Sequence, residues 1–274
     1  MSEIISNTDP MPQCVQTDVI GWDIPVEVQN LINRGALFIC NDSAGKDSQA
    51  MKILLKNIIP KGQLVIVHAN LPEVEWEGNL DHIKKYSDNH PVVEVQANKT
   101  FFEMVENRFK NRPEVPSWPS AATRQCTSDL KRGPIQKFIN NYSLKNGYKE
   151  VVNCIGLRAQ ESPGRAKKIP FQFKKINSCK HRQQYEWLPI HDWLIDRVWS
   201  TIENAGEKRH YAYDLGMSRL SCKYCIMSND HDLKIAYQSD PELGNRYIAF
   251  EEFTGYTMSM SRISLKNTLA ARSS

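Results

Sequence analysis

A chain of 274 residues with 41% hydrophobic and 24% charged residues has ordinary globular composition and enough length to bury a core without disulfide staples. Its longest apolar runs, such as residues 36–40 and 64–67, are strand-sized, so no membrane span is expected. The opening MSEIISNTDPMPQC lacks a basic stretch followed by an apolar one, so it does not read as a secretory signal, and a cytoplasmic protein is expected. Seven cysteines, an odd number without an export signal, argue for reduced thiols, some of them candidate metal ligands, over a disulfide framework.

Residues 1–35 read as an N-terminal segment and helix. Four short, mostly apolar runs follow, at 36–40, 64–67, 92–95 and 151–155, the last two carrying one polar residue each, Glu94 and Asn153; near-continuous apolarity is what a parallel strand covered on both faces requires. Residues 46–59 set Met51, Leu54, Leu55 and Ile58 at helical spacing and stop at Pro60 and Gly62. Further helices are predicted at 101–110 and 129–145, the regular part of the latter starting at Pro134. Alternating strand and helix over 36–188 predicts a doubly wound, mostly parallel sheet in a Rossmann-like α/β/α sandwich. Residues 192–204 form an amphipathic helix offering Trp193, Val198, Trp199 and Ile202, a cysteine hairpin follows at 222–225, and helix resumes through Phe250. Residues 189–274 therefore read as a mainly helical extension packed against the sheet.

The net charge of +4 is unevenly placed. Residues 157–182 hold eight basic side chains (Arg158, Arg165, Lys167, Lys168, Lys174, Lys175, Lys180, Arg182) against Glu161, so the segment carries +7 and the rest −3. A solvated basic loop accounts for this; so does a flexible segment closing over an anionic substrate, either a phosphorylated small molecule or a nucleic acid.

After the first strand the chain reads FIC-ND-SAGKDS-QAMKILL. A strand, a short loop of small residues and a helix aim unpaired N–H groups and a positive dipole end at whatever lies above the strand. Ser43, Ala44 and Gly45 allow close approach to the backbone, Lys46 supplies a cation, and Ser43 and Ser48 supply hydroxyls. Asp47 follows Lys46 where a Walker A loop has Ser or Thr; an acid there makes sense if it holds Mg²⁺ against phosphates. The plain alternative is a strand-to-helix turn capped by Asp42 or Ser43.

The hexapeptide 43–48 resembles the pyrophosphate loop, usually Ser-Gly-Gly-x-Asp-Ser, of the ATP pyrophosphatase and adenine nucleotide α-hydrolase superfamily. VHANLPEVEW (67–76), RQCTSDLKRGPIQKF (124–138), GLRAQESPGRAKK (156–168), WLPIHDW (187–193) and DLGMSRLSCKYCIM (214–227) are similar, in order, to motifs of its phosphoadenosine phosphosulfate (PAPS) reductase-like branch. The resemblance implies a site for ATP, or PAPS, with Mg²⁺. Residues 43–48 would hold the phosphates, Lys46 and Asp47 would take part in catalysis, and Arg158 and Arg165 would clamp the anionic end of the substrate, as guanidinium forks suit phosphate and sulfate. Two departures stand near the nucleotide. Ala44 replaces the usual first Gly, which is tolerated if φ is negative there. Asn70 stands where the branch commonly has Asp, so it can contact the nucleotide but not serve as a carboxylate ligand.

Cys222 and Cys225 have the Cys-x-x-Cys spacing that lets two thiolates reach one metal. The resemblance adds Cys126, which matches the first cysteine of a pair in iron–sulfur members, with Thr127 in the second place and Lys131 and Pro134 in register. It implies a [4Fe–4S] cluster, alternatively zinc, with Cys179 a candidate fourth ligand or the site left open. Cys40 and Cys154 read as core residues, and Cys14 also has a bland reading; His68 and His191 read as structural. The activity implied is ATP cleavage between the α and β phosphates, adenylating an acceptor and passing sulfur to it. That acceptor would be a nucleic acid or a small anion, and the sulfur could come from a donor protein. A sulfonucleotide reductase releasing sulfite is the alternative, although no cysteine follows Cys225 to act as the usual tail nucleophile. A non-catalytic nucleotide-binding module is the third reading.

Overall fold

A computed structural model describes residues 24–271. The N-terminal segment with Cys14 therefore lies outside the described residues, apart from the helix α1 (Val26–Asn33). Six strands form one sheet: β1 (Leu37–Asn41), β2 (Leu64–Asn70), β3 (Val92–Gln96), β4 (Glu150–Ile155), β5 (Phe171–Phe173) and β6 (Gln183–Trp187). Their order is β3-β2-β1-β4-β6-β5, parallel except for β5, which runs antiparallel to β6. The four apolar runs are thus the parallel strands β1 to β4, and the doubly wound α/β reading holds.

Side-chain alternation in β1 explains why both faces are covered. Phe38 and Cys40 point into one core with Ile66, Val152 and Cys154, and α1, α2 (Lys46–Ile58) and α8 (Ile195–Asn204) close over it. Leu37 and Ile39 point the other way with Val65, Val67 and Val151, under Ile139 of α6 (Gly133–Lys145). All of these side chains are at most 2% exposed, which at ~1.5–3 kcal/mol per large apolar side chain is the main favourable contribution of the sheet. Cys40 and Cys154 face each other in register, and burial pushes both thiols far above their usual range; they are core residues.

Two predicted elements change in detail. The helix expected at 129–145 starts earlier, at α5 (Gln125–Thr127), and passes through a π-helical turn, Ser128–Arg132, before α6. Pro134 sits in the first turn of α6, where its missing N–H costs nothing. The helix expected from 192 begins only at Ile195, and Trp193 packs from the preceding turn into the core. β5 and β6 had no continuous apolar run to announce them, since QQYEW and FQF alternate.

The C-terminal helices α9 (Asp230–Ser239), α10 (Pro241–Thr254) and α11 (Leu265–Ala270) do not cover a face of the sheet. They join α4 (Phe101–Asn111) and the segment after β2 in a second core beyond the strand ends, which contains Leu71, Val74, Trp76, Phe101, Phe102, Trp118, Tyr224 and Tyr247. Two shorter helices, α3 (Asn79–Lys85) and α7 (Pro163–Ala166), complete the described elements of α type. Among the described residues, no helix is long and apolar enough to cross a membrane.

Gly244 marks the tightest seam of this second core. A Cβ built there would lie 2.5 Å from the Tyr224 hydroxyl and 2.5 Å from a ring carbon of Tyr237, and that hydroxyl already donates to the Asp240 carbonyl at 2.7 Å. Gly244→Ala should therefore destabilise the protein by about 1–3 kcal/mol through overpacking. A urea titration would show it as a lower midpoint at unchanged slope.

Candidate nucleotide site

The sheet changes winding direction between β1 and β4, and in open α/β sheets the crevice outside the carboxyl ends of such strands is where ligands bind. A cavity of about 400 Å³ opens there. Its floor is the loop from Asp42 to Gly45 and the first turn of α2. Asp42 is buried at the end of β1 and organises that loop. One carboxylate oxygen accepts from the Ala44 N–H at 2.8 Å and the Ser48 hydroxyl at 2.9 Å; the other meets the Lys52 ammonium at 2.8 Å, both side chains being fully buried. Ser48 and Lys52 lie one helical turn apart, so one face of α2 presents both to Asp42.

Ala44 has φ +61°. This corrects the expectation of a negative φ: the position keeps the left-handed backbone that glycine adopts freely, at a cost of ~1–2 kcal/mol for an L-residue. The bond from its N–H to Asp42 holds it there. The other approach to the loop comes from Gly156, just after β4. A Cβ at Gly156 would lie 3.0 Å from the Asp47 carbonyl oxygen and 3.1 Å from the Ser48 nitrogen, so only glycine lets the strand end press against the helix start. Tyr213, brought in from the C-terminal half, accepts from the Lys46 N–H at 3.0 Å and the Leu220 N–H at 3.3 Å.

Ser43, Gly45, Lys46, Asp47 and Ser48 line the cavity, as does Arg165. Arg158 does not. It is buried behind the loop, donating from Nε to Asp47 at 2.6 Å and from Nη1 to Gln160 at 2.7 Å. The second Asp47 oxygen faces the Lys46 ammonium at 3.3 Å. Asp47 is thus engaged by two cations and forms no ready Mg²⁺ ligand. Asn70 also faces away, donating to Glu94 of β3. Arg165 is ion-paired with Glu161 at the cavity rim.

The +7 segment does not form one flexible flap. It is built into α7, β5 and the turn into β6, which separate its charges: Arg158 and Arg165 stand at the cavity end, whereas Lys180 and Arg182 stand at the opposite end of the sheet.

A chain of polar side chains that the motifs did not single out runs up one wall. The His68 ring meets the Asp42 carbonyl at 2.9 Å through Nδ1 and Glu75 at 3.1 Å through Nε2. Burial lowers the His68 pKa, but Glu75 and the Asp42 carbonyl more than offset this and raise it, favouring the imidazolium. Glu75 is held below its ordinary range by His68 and Lys131 against the opposing effect of burial, and its other oxygen lies 3.6 Å from Lys131. His68 is therefore part of the site wall, whereas His191 bonds the Arg165 carbonyl at 3.0 Å outside it. Arg124 and Arg219 add two further cations to the lining.

Beyond Lys131 stand Cys126, Cys222 and Cys225, all lining the same cavity and all acting electrostatically on Lys131, whose pKa they raise against burial. Burial pushes the Cys222 thiol up to about 12 despite Lys131. The Cys225 sulfur accepts from Arg219 at 3.4 Å and from the Met227 N–H at 3.5 Å. Among the described residues, no three His, Cys, Asp or Glu side chains stand together so as to hold a metal ion. That does not fit a structural zinc site, which takes four protein ligands about 2.3 Å from one ion. Three thiols lining one cavity are the soft donors that an iron–sulfur cluster takes. Cys179 cannot be a fourth ligand. It is exposed and precedes β6, at the opposite end of a strand ~16 Å long.

The Asp42–Lys52 pair sets a test of this floor. Lys52→Met should cost about 3–5 kcal/mol at neutral pH, because it leaves a buried carboxylate without its cation. Burial raises the Asp42 pKa, but Lys52 and the Ala44 and Ser48 donors outweigh it and lower it. Its contribution is therefore full above the unfolded carboxyl range, near pH 4, and is lost as pH falls through the lowered value. Urea unfolding should show the gap between parent and variant shrinking in acid.

The phosphoadenosine phosphosulfate reductase domain family matches the chain over residues 38–228. An uncharacterized 37.8 kDa protein in the gpa 5′ region of Escherichia phage 186 is 30% identical over 125 residues, 46% of this chain and 36% of that protein. The chain thus matches about a third of that relative's length. Among solved structures, phosphoadenylyl-sulfate reductase from Candida auris, in a phosphate complex, is 11% identical with a TM-score of 0.45, over 72% of this chain and 87% of that one. The U34-tRNA thiolase NcsA from Methanococcus maripaludis, with its [4Fe–4S] cluster, is 15% identical with a TM-score of 0.38, over 84% of this chain and 78% of that one. With a family match over most of its length and a cavity at the strand ends, the chain belongs to the phosphoadenosine phosphosulfate reductase domain family.

Proposed function

We propose that this protein binds ATP in the cavity at the ends of β1 and β4, cleaves it between the α and β phosphates, and couples that adenylation to sulfur transfer. The observation that carries the reading is the convergence of the 43–48 loop, Arg165 and three cysteines on one cavity. Pyrophosphate departing from the α phosphorus gathers negative charge; the Lys46 ammonium, the Ser43 hydroxyl and the Asp47 and Ser48 N–H groups in the first turn of α2 are the groups placed to receive it. Arg165 would trade its Glu161 partner for the substrate's anionic end. Arg158 acts through Asp47, fixing the first turn of α2.

An acceptor oxygen attacks the α phosphorus and pyrophosphate leaves. A sulfur nucleophile, delivered by a donor protein or from the cysteine wall, then displaces AMP. The carboxylates of the cavity are already engaged by cations or N–H groups, so Mg²⁺ is read as arriving with the nucleotide phosphates. A [4Fe–4S] cluster bound by Cys126, Cys222 and Cys225 would supply an iron able to carry sulfur. Lys131 and Arg219 would offset the charge of the thiolates beside it.

The test is release of pyrophosphate from ATP and Mg²⁺ by anaerobically purified protein, with iron and sulfide assayed in parallel. Lys46→Ala and Arg165→Ala should each lower kcat/KM about 10²-fold while leaving thermal melting unchanged. Sulfite release from PAPS without pyrophosphate release would instead assign a sulfonucleotide reductase. Nucleotide binding with neither product would assign a non-catalytic module.

A further inference from the structure

Among the described residues β5 is the outer strand of the sheet, and one of its edges is unpaired there. It connects the cavity to the far end of the molecule: Phe171 pairs with Trp187 at the cavity end, Phe173 with Tyr185 lower down, and the chain then descends to the turn before β6. Exposed lysines stand at both ends of this edge, Lys167 and Lys168 beside the Arg165 helix and Lys175 and Lys180 below. None of these four has a carboxylate within ion-pair distance among the described residues. Lys174, by contrast, lies 3.7 Å from Glu186, and Arg34 is paired with Glu150.

Apolar side chains are interleaved with these cations. Ile169 is 59% exposed, Phe173 49% and Ile176 89%. Phe173 stands edge-on to Tyr185, and Phe171 stacks on Tyr185. The Tyr185 hydroxyl donates to Gln183, which lines a basin at the amino ends of β1 and β4 together with Lys149, Glu150, Lys180, His181 and Arg182. An edge that leaves lysines without counter-charges and a phenyl ring in water matches a chain of phosphates carrying planar bases. A purely acidic peptide would use the lysines but not the ring.

We infer that the β5 edge is a binding track for single-stranded nucleic acid, with phosphates on Lys167, Lys168, Lys175 and Lys180 and a base stacked on Phe173. The track leads to Arg165 at the cavity rim, so it deepens the proposed function, on which it rests for its purpose, by choosing nucleic acid over a small anion as acceptor.

Fluorescence anisotropy of the full chain with a labelled single-stranded oligonucleotide of about 20 nucleotides, as DNA and as RNA, tests the track. The substitution of all four lysines by serine (Lys167→Ser, Lys168→Ser, Lys175→Ser, Lys180→Ser) should weaken binding at least tenfold at moderate salt. It should also flatten the salt dependence by about 0.7 in log–log slope for each phosphate no longer neutralised. Phe173→Ala should weaken binding about 5- to 100-fold at unchanged slope, as loss of one stacked base does. Nucleotide binding in the cavity, read by ATP-dependent thermal stabilisation, should be the same in parent and variants. It therefore reports separately on the proposed function. No oligonucleotide binding by the parent, variants that bind like the parent, or competition by polyglutamate as effective as by unlabelled oligonucleotide would each overturn the inference.

Discussion

The buried ion pair between Asp42 and Lys52 is the interaction on which the site depends. A carboxylate at the end of a central strand, fully removed from water, is tolerated only because a lysine from the following helix reaches it at 2.8 Å. The pair locks the start of α2 to the end of β1. Asp42 also fixes the left-handed Ala44 and orients Ser48, while its carbonyl anchors His68. The loop is thus shaped by contacts within the protein itself, and pre-shaping of that kind lowers the entropy cost of binding.

From that anchor a polar chain runs outward. His68, Glu75 and Lys131 set a carboxylate between an imidazole and an ammonium, and the run ends at the three thiols. Each member offsets the desolvation of the next, so the loop and the cysteine wall are electrically connected across the cavity. The C-terminal helices matter to this arrangement more than to the sheet. By packing on α4 and the segment after β2, they bring Tyr213, Arg219, Cys222 and Cys225 over a site whose floor belongs to the N-terminal half.

Much of the fold was legible because burial on both faces leaves a local mark. The runs at β1 and β2 are apolar without interruption, those at β3 and β4 are broken once each, by Glu94 and Asn153, and α2 carries helical periodicity with clear stops. β5 and β6 were not legible, since an edge hairpin alternates polar and apolar residues over only a few positions. The π-helical turn before α6 was hidden for a different reason: it is an adjustment of hydrogen-bond register, and residue types around Pro134 do not specify it. Ser43, Gly45, Lys46, Asp47, Ser48 and Arg165 were found by pattern and do line the cavity, whereas Ala44 is buried beneath it. Arg158 and Asn70 were found by the same pattern but turn toward Asp47 and Glu94.

Strand-and-helix order was sufficient to determine the fold class, and the resemblance of five motifs the family. Those features depend on contacts between near neighbours in sequence, where residue type and spacing carry the physics. Tertiary structure alone decided which charges pair with which, because Asp42–Lys52, Asp47–Arg158 and Glu75–Lys131 join side chains whose partners are set by how strands and helices stack. It also decided that Cys179 lies a strand's length from the other cysteines and that the +7 segment is divided between two ends of the sheet. Chain direction reverses between β5 and β6, and that reversal sends neighbouring basic residues to opposite ends of the molecule.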